Sequence, residues 1–157
     1  MIKKIKKFIK DKNLDGYIIS KNDSYFTEYS RVNNLAKVTN FTGSAGFTLI
    51  LKDINYLFVD GRYTLQAKEQ SGKNFKILEI PYVWPKDLQN IKNFKIGFNP
   101  KLFTKSMLQK FFEGKVNLIP IEFFFNKKKE KKIKKLFILD KNITGETTST
   151  KINKIKK

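Results

Sequence analysis

The chain contains no cysteine and no histidine. The first absence excludes disulfides and thiolate chemistry and fits a reducing compartment, the cytoplasm. The second reaches further. A Ser-His-Asp triad, a Cys-His pair and a His-ligated zinc site all need a residue type that is missing. A carboxylate-only metal site stays open in principle, but no clustered Asp/Glu motif supports one. No catalytic, cofactor-binding or metal-ligating residue is therefore expected. No apolar run approaches the roughly 20 residues a membrane helix needs, and no membrane partner is expected. The first segment, Met1 to Lys12, alternates Ile with Lys and has neither the apolar stretch nor the small-residue cleavage site of a secretory signal. Arginine is scarce too, present only as Arg31 and Arg62, although it is the preferred residue for bidentate phosphate and base contacts.

What is present is basic and aromatic. The 157 residues carry a net charge of +19, with 40% hydrophobic residues and 15 Phe. That suits one packed domain, or one domain plus a piece of another. The charge sits at the ends: residues 1–12 hold six Lys against one Asp, and residues 127–157 hold twelve Lys against Glu130, Asp140 and Glu146. Charge in that distribution reports solubility and non-specific attraction more than a nucleic-acid interface. Heavy use of Lys, Asn, Ile and Phe also fits a compositional bias of the coding DNA. A basic nucleic-acid-binding protein is thus a minor alternative.

Periodicity gives the elements. Ile2, Ile5, Phe8 and Ile9 share one face of a helix that covers a sheet, with a membrane-surface helix as the rival. Strands are expected at 17–19, 47–51, 56–59, 75–80, 95–98 and 116–119, the second and third forming a hairpin across 53–55. Asp23 or Ser24 caps a short helical turn reaching Tyr29, and residues 30–40 read as irregular. A helix over 62–71 directs Leu65 and Ala67 inward and stops at Gly72. Residues 87–91 suggest a short helix. Thr104 caps a helix carrying Met107, Leu108, Phe111 and Phe112, closed by Gly114. This alternation predicts an α/β fold: a three-layer α/β/α sandwich around a mixed sheet of five or six strands, with helices on both faces. Residues 1–126 are expected to form the first domain and 127–135 a Lys-rich linker or solvated helix. Residues 136–157, one strand and one Thr/Ser-capped helix, are too few to bury a core.

Two stretches carry the motifs. In Phe41-Thr42-Gly43-Ser44-Ala45-Gly46-Phe47, two glycines and two hydroxyls share a tight loop. Backbone N–H groups of such a loop can cradle an anion, but the Lys and helix of a P-loop are missing. The favoured reading is that Gly43 and Gly46 permit positive φ or close packing. In Asp60-Gly61-Arg62-Tyr63, Asp60 caps the following helix, Arg62 pairs with a carboxylate and Tyr63 packs on the sheet. Trp84, between Pro81 and Pro85, reads as a surface anchor suited to a subunit interface. Phe123-Phe124-Phe125 packs a domain edge, with base stacking as the rival.

Residues 41–67 closely resemble the N-terminal signature of Xaa-Pro aminopeptidases in the creatinase/prolidase superfamily, at Phe41, Thr42, Gly43, Ser44, Gly46, Asp60, Gly61, Arg62, Tyr63 and Gln66. Gly145-Glu146-Thr147 with Lys151 and Ile155 resembles the opening of that family's second domain. The resemblance implies two related α/β domains followed by a pita-bread domain that binds two divalent metals, usually manganese or zinc, and cleaves the bond before proline. None of those ligands can be carried over, so the chain is expected to be a scaffold, dimerisation and substrate-gating portion without catalysis, from a fragment or a split or decaying gene. It also implies a homodimer or association with a catalytic chain. Against the family pattern, the Arg, Trp and Gly upstream of the loop are Asn34, Lys37 and Asn40, and the linker lacks Trp, Arg and Pro. An independent interaction module, binding itself or a full-length peptidase, is the second reading.

Overall fold

The computed structural model describes residues 1–27, 32–125 and 139–156. Met1–Phe125 forms one compact unit and Asn126–Lys157 a second.

In the first unit, helix α1 (Ile2–Asp11) leads into β1 (Gly16–Ser20), then α2 (Asn34–Thr39), the hairpin of β2 (Phe47–Leu51) and β3 (Asn55–Asp60), and α3 (Thr64–Ser71). Strands β4 (Lys76–Ile80) and β5 (Lys95–Phe98), helix α4 (Lys105–Phe112) and strand β6 (Asn117–Pro120) complete it. The six strands form one sheet in the order β4-β3-β2-β1-β5-β6. Only the neighbours β1·β2 and β2·β3 are antiparallel; the pairs β1·β5, β3·β4 and β5·β6 are parallel. Five strands thus run one way and β2 alone runs back. The mixed three-layer sandwich read from the sequence is the fold observed.

The two faces bury separate cores. Under α1, α2 and α3 lie Ile5, Ile9, Tyr17, Leu35, Val38, Phe41 and Ala67. On the opposite face α4 presses Leu108, Phe111 and Phe112 onto Ile18, Phe47, Leu49 and Phe58. Strand parity makes this division: Tyr17 and Ile19 go to one face and Ile18 to the other. Stacked rings tie the second core together, Phe47 lying 4.7 Å from Phe58 and 4.3 Å from Phe111 between centroids.

The chain leaves the sheet under a tether. The Tyr17 hydroxyl donates to the Ile121 carbonyl at 2.8 Å and accepts from the Phe123 N–H at 3.1 Å. Phe8 and Phe123 meet edge to face beside it. Phe123 and Phe125 pack on the first core, whereas Phe124 is exposed. Burial pushes the Tyr17 phenol well above its usual range, so it stays a neutral donor and acceptor.

Several local expectations need correction. Residues 34–39 are helical: the Asn33 side chain accepts from the Ala36 N–H at 2.9 Å, and Leu35 and Val38 are buried. Six residues give too short a period to be read against polar neighbours. Leu65 is exposed, because a 3-10 turn at Gly61–Tyr63 delays α3 and the inward stripe becomes Ala67 and Ser71. The helix expected at 87–91 is a 3-10 turn at Pro85–Asp87, where the Asp87 carboxylate accepts from the Trp84 N–H at 2.8 Å. Asp23 Oδ1 accepts from the N–H groups of Tyr25 and Thr27; the far end of that turn, with Tyr29, lies outside the described residues. So do the expected linker at 127–135 and most of the strand expected at 136–139.

In the second unit, α5 (Lys141–Thr144) is capped by Asp140 and ended by Gly145, and α6 (Thr148–Ile155) is capped by Thr147. None of its described residues is buried.

Candidate functional site

The two motifs converge at the sheet edge where β3 ends and β2 begins. Phe47 pairs with Phe58 there, so the loop entering β2 lies beside Asp60 and Gly61. The contacts follow from the residue types. Ser44 Oγ and the Tyr63 hydroxyl share a hydrogen bond of 2.8 Å. Gln66 Nε2 and Gln70 Nε2 both donate to Thr42 Oγ1, at 3.0 and 3.2 Å. Gln70 Oε1 accepts from the Thr42 N–H at 2.9 Å. Tyr63 meets Phe41 edge to face, with centroids 5.7 Å apart. Thr42, Ser44, Tyr63 and Gln66 are therefore brought together and spend their polar atoms on one another.

The glycines serve close approach. A Cβ on Gly43 would fall 2.2 Å from Phe41 Cζ, inside the ring that the loop folds over. A Cβ on Gly46 would come within 2.9 Å of the Phe58 carbonyl, at a φ of +154°.

Asp60 and Arg62 form a fork beside this cluster. Asp60 Oδ1 accepts from the Arg62 N–H and Nε, at 3.0 and 3.1 Å, and Oδ2 accepts from Nη2 at 2.7 Å. The Arg62 guanidinium holds the Asp60 carboxyl below the usual carboxylate range. That stabilises the ionised form, the opposite of what a general acid needs. The Arg62 guanidinium also lies 5.3 Å from the Tyr63 ring centre.

Trp84 stands apart from this cluster. It is half-buried, stacked on Phe111 at 5.6 Å, with Lys110 Nζ 4.7 Å from its ring. Gly145 and Lys151 belong to the second unit, Gly145 at the end of α5 and Lys151 on α6. Gln70 was missed by sequence reasoning. Its signal was the i, i+4 spacing from Gln66 on a helix already expected.

The opposite edge opens into a cavity of about 690 Å³ lined by Asp15, Lys52, Tyr56, Asp87 and Phe94 among others. Asp15 there pairs with Lys52 at 2.7 Å and accepts from the Lys95 N–H at 2.9 Å, and both bonds, Lys52 foremost, keep its carboxyl low. Among the described residues no group of three or more His, Cys, Asp or Glu side chains could hold a metal ion, and no helix is long and apolar enough to cross a membrane.

Comparison with known proteins bears on this arrangement. Xaa-Pro aminopeptidase 1 of Dictyostelium discoideum is 28% identical over 180 aligned positions, which take in 99% of this chain and 29% of that protein. Aminopeptidase P1 of Lotus japonicus is 36% identical over 94 positions, 55% of this chain and 14% of its own length. The chain thus spans less than a third of these curated relatives. Among solved structures, the X-prolyl aminopeptidase of Caenorhabditis elegans, described as a cytosolic enzyme with a di-nuclear active site, superposes with a TM-score of 0.64 at 22% identity, covering 90% of this chain and 26% of that one. The N-terminal creatinase/prolidase-like domain of a metallopeptidase from Corynebacterium diphtheriae gives a TM-score of 0.62 at 22% identity, covering 79% of this chain and 95% of that one. The family model for the creatinase/prolidase N-terminal domain matches residues 1–127. On that match this chain belongs to the creatinase/prolidase N-terminal domain family, and the solved structures share its fold.

Proposed function

We propose that the chain is a scaffold for an Xaa-Pro aminopeptidase-type metallopeptidase, acting in dimerisation and in narrowing access to an active site, while another polypeptide segment supplies the metals and the reaction. In this reading residues 1–126 are the scaffold domain, 127–135 the link, and 136–157 the opening of a second, related domain. The two metals, manganese or zinc, belong to the segment that carries the ligands. The cytoplasm is the compartment this reading favours, since the worm relative is described as cytosolic and the chain has no cysteine.

One observation carries the proposal. The residues that carry the resemblance, Thr42, Ser44, Tyr63 and Gln66, hydrogen-bond one another, Ser44 with Tyr63 and Gln66 with Thr42. A constellation built that way fixes a loop instead of turning over a substrate. Partner contacts then fall to the surface, with Trp84 as the candidate anchor. Asn34, Lys37 and Asn40 stand where the family pattern has Arg, Trp and Gly, so gating contacts on that side differ from the family's.

The test uses the purified chain with manganese and an Xaa-Pro dipeptide. No turnover above a metal-only blank is expected, and clear turnover ends the scaffold reading. Addition of a full-length peptidase of the family in light-scattering runs separates the second reading, an interaction module. A strict monomer that ignores the peptidase argues against both dimerisation and association.

A further inference from the structure

The fold has a topological switch point that the signature cluster does not use. From β1 the chain winds outward through β2, β3 and β4, then returns to the other side of β1 as β5. Helix α2, after β1, packs on one face, and α4, after β5, packs on the other. In open α/β sheets, crevices that bind ligands form outside the carboxyl ends of the strands at such a reversal. Ser20 is the last residue of β1. Asn22, just beyond, donates from Nδ2 to the Leu102 carbonyl at 2.9 Å and so bridges the loops after β1 and β5.

A cavity of about 280 Å³ lies at this edge, between Ser20 and Asn22 on one side and Phe47, Trp84, Met107 and Phe111 on the other. Ser20 is 4% exposed, and its hydroxyl has no hydrogen-bond partner among the described residues. Strand parity puts its side chain on the same face as Ile18, the face where Phe47 and Phe111 pack. A buried hydroxyl left unmatched costs free energy, and such groups are exceptions that call for a reason. None of the side chains lining the cavity is ionisable. The space is far larger than the roughly 10–15 Å³ that one water requires and sits just below the range for drug-sized ligands.

We propose that this cavity is a binding site for a small neutral molecule: a compact alicyclic or aromatic body held against Trp84, Phe47 and Phe111, with one hydroxyl or carbonyl hydrogen-bonded to Ser20 after its hydroxyl, sealed from the space in the described rotamer, turns about χ1 toward it. No side chain of the lining is ionisable, which favours a neutral ligand over an ion. The site uses none of the signature side chains and shares Trp84 with the partner surface of the scaffold reading, but its test needs no partner chain.

Trp84 is the chain's single tryptophan, so its fluorescence reports on one wall of the cavity. Cyclohexanol and methylcyclohexane, equal in size and differing in the hydroxyl, serve as probes for the full chain. Cyclohexanol is expected to give a saturable change, and Ser20→Ala to weaken its binding about two- to tenfold, the range that one hydrogen bond supports. The same variant is expected to leave methylcyclohexane binding unchanged, since that probe offers Ser20 no polar group. Met107→Trp, which fills the cavity and leaves Ser20 unsubstituted, is expected to abolish both responses as followed by amide NMR shifts at Phe47 and Phe111, with circular dichroism confirming the fold. No saturation by cyclohexanol up to its solubility overturns the proposal, as does cyclohexanol binding undiminished by Ser20→Ala or by Met107→Trp.

Discussion

Helices α1 and α6 draw on the same two residue types, isoleucine and lysine, and end in different environments. In α1, Ile5 and Ile9 are each 0% exposed beneath the Lys-covered outer face; in α6, Ile152 is 45% and Ile155 84% exposed. Local chemistry does not separate them. If anything α6 is the better begun, for Thr147 accepts from the Thr150 N–H, whereas Met1 provides no side-chain cap for α1. The difference is the sheet: Ile5 and Ile9 sit in a core with residues of β1, β2 and β3. Most helical stability in proteins comes from such packing and not from propensity, so an amphipathic stripe states what a helix needs and not whether its own unit provides it.

The sharpest way to break this comparison is to truncate one isoleucine in each helix. Ile9→Ala removes a fully buried side chain and is expected to cost about 2–5 kcal/mol, transfer and cavity together. Ile155→Ala is expected to stay within about 0.5 kcal/mol, as exposed substitutions do. Urea unfolding followed by circular dichroism reads both. Equal costs would mean that Ile155 is buried in solution and that α6 has a partner.

A smaller effect is expected where the first unit fastens its exit. Tyr17→Phe keeps the ring between Phe8 and Phe123 but leaves the Ile121 carbonyl and the Phe123 N–H without their shared hydroxyl. About 1–3 kcal/mol is expected, the cost of unmatched partly buried polar groups. Limited proteolysis should then cut near Ile121–Phe125 sooner than in the parent chain. An unchanged cleavage pattern would remove the tether from the account.

These contrasts also mark what the sequence could carry. The strands of the hairpin, the Thr104 cap and the pairing of Arg62 with a carboxylate follow from local patterns, each of which dictates its own geometry. Asp60 could be read as a cap because its partner stands two residues away. Thr42 could not be read as the acceptor of two glutamine amides, because that pairing depends on how α3 is rotated, and the 3-10 turn that rotates it has no strong local signature. The same turn moves Leu65 out and Ser71 in. The short helix at Asn34–Thr39 was hidden for another reason: of its three buried residues Leu35, Val38 and Thr39 only two are apolar, and two apolar residues three apart define no period by themselves. The cavity beside Ser20 lay further out of reach, since its lining is drawn from β1, β2, β4 and α4.

Two carboxylates with the same direction of pKa shift supply the last and smallest contrast. Asp15 and Asp60 are both held below the ordinary carboxylate value, Asp15 foremost by Lys52 and Asp60 foremost by Arg62. A carboxyl whose folded pKa lies below its unfolded value contributes stability that is present above the unfolded value and is lost as pH falls through the folded one. The reference state then distinguishes the two. Lys52 and Lys95 lie 37 and 80 residues from Asp15, so unfolding separates them from it. Arg62 is two residues from Asp60 and stays near it in the unfolded chain, which lowers the unfolded pKa as well and shrinks the difference. Asp15→Asn is therefore expected to flatten the decline in urea midpoint between about pH 5 and pH 3 more than Asp60→Asn does, with both effects modest because both side chains are partly solvated and screened by salt. A steeper flattening for Asp60→Asn would show that the fork at the signature loop, and not the clasp between β2 and β5, carries the acid sensitivity of the domain.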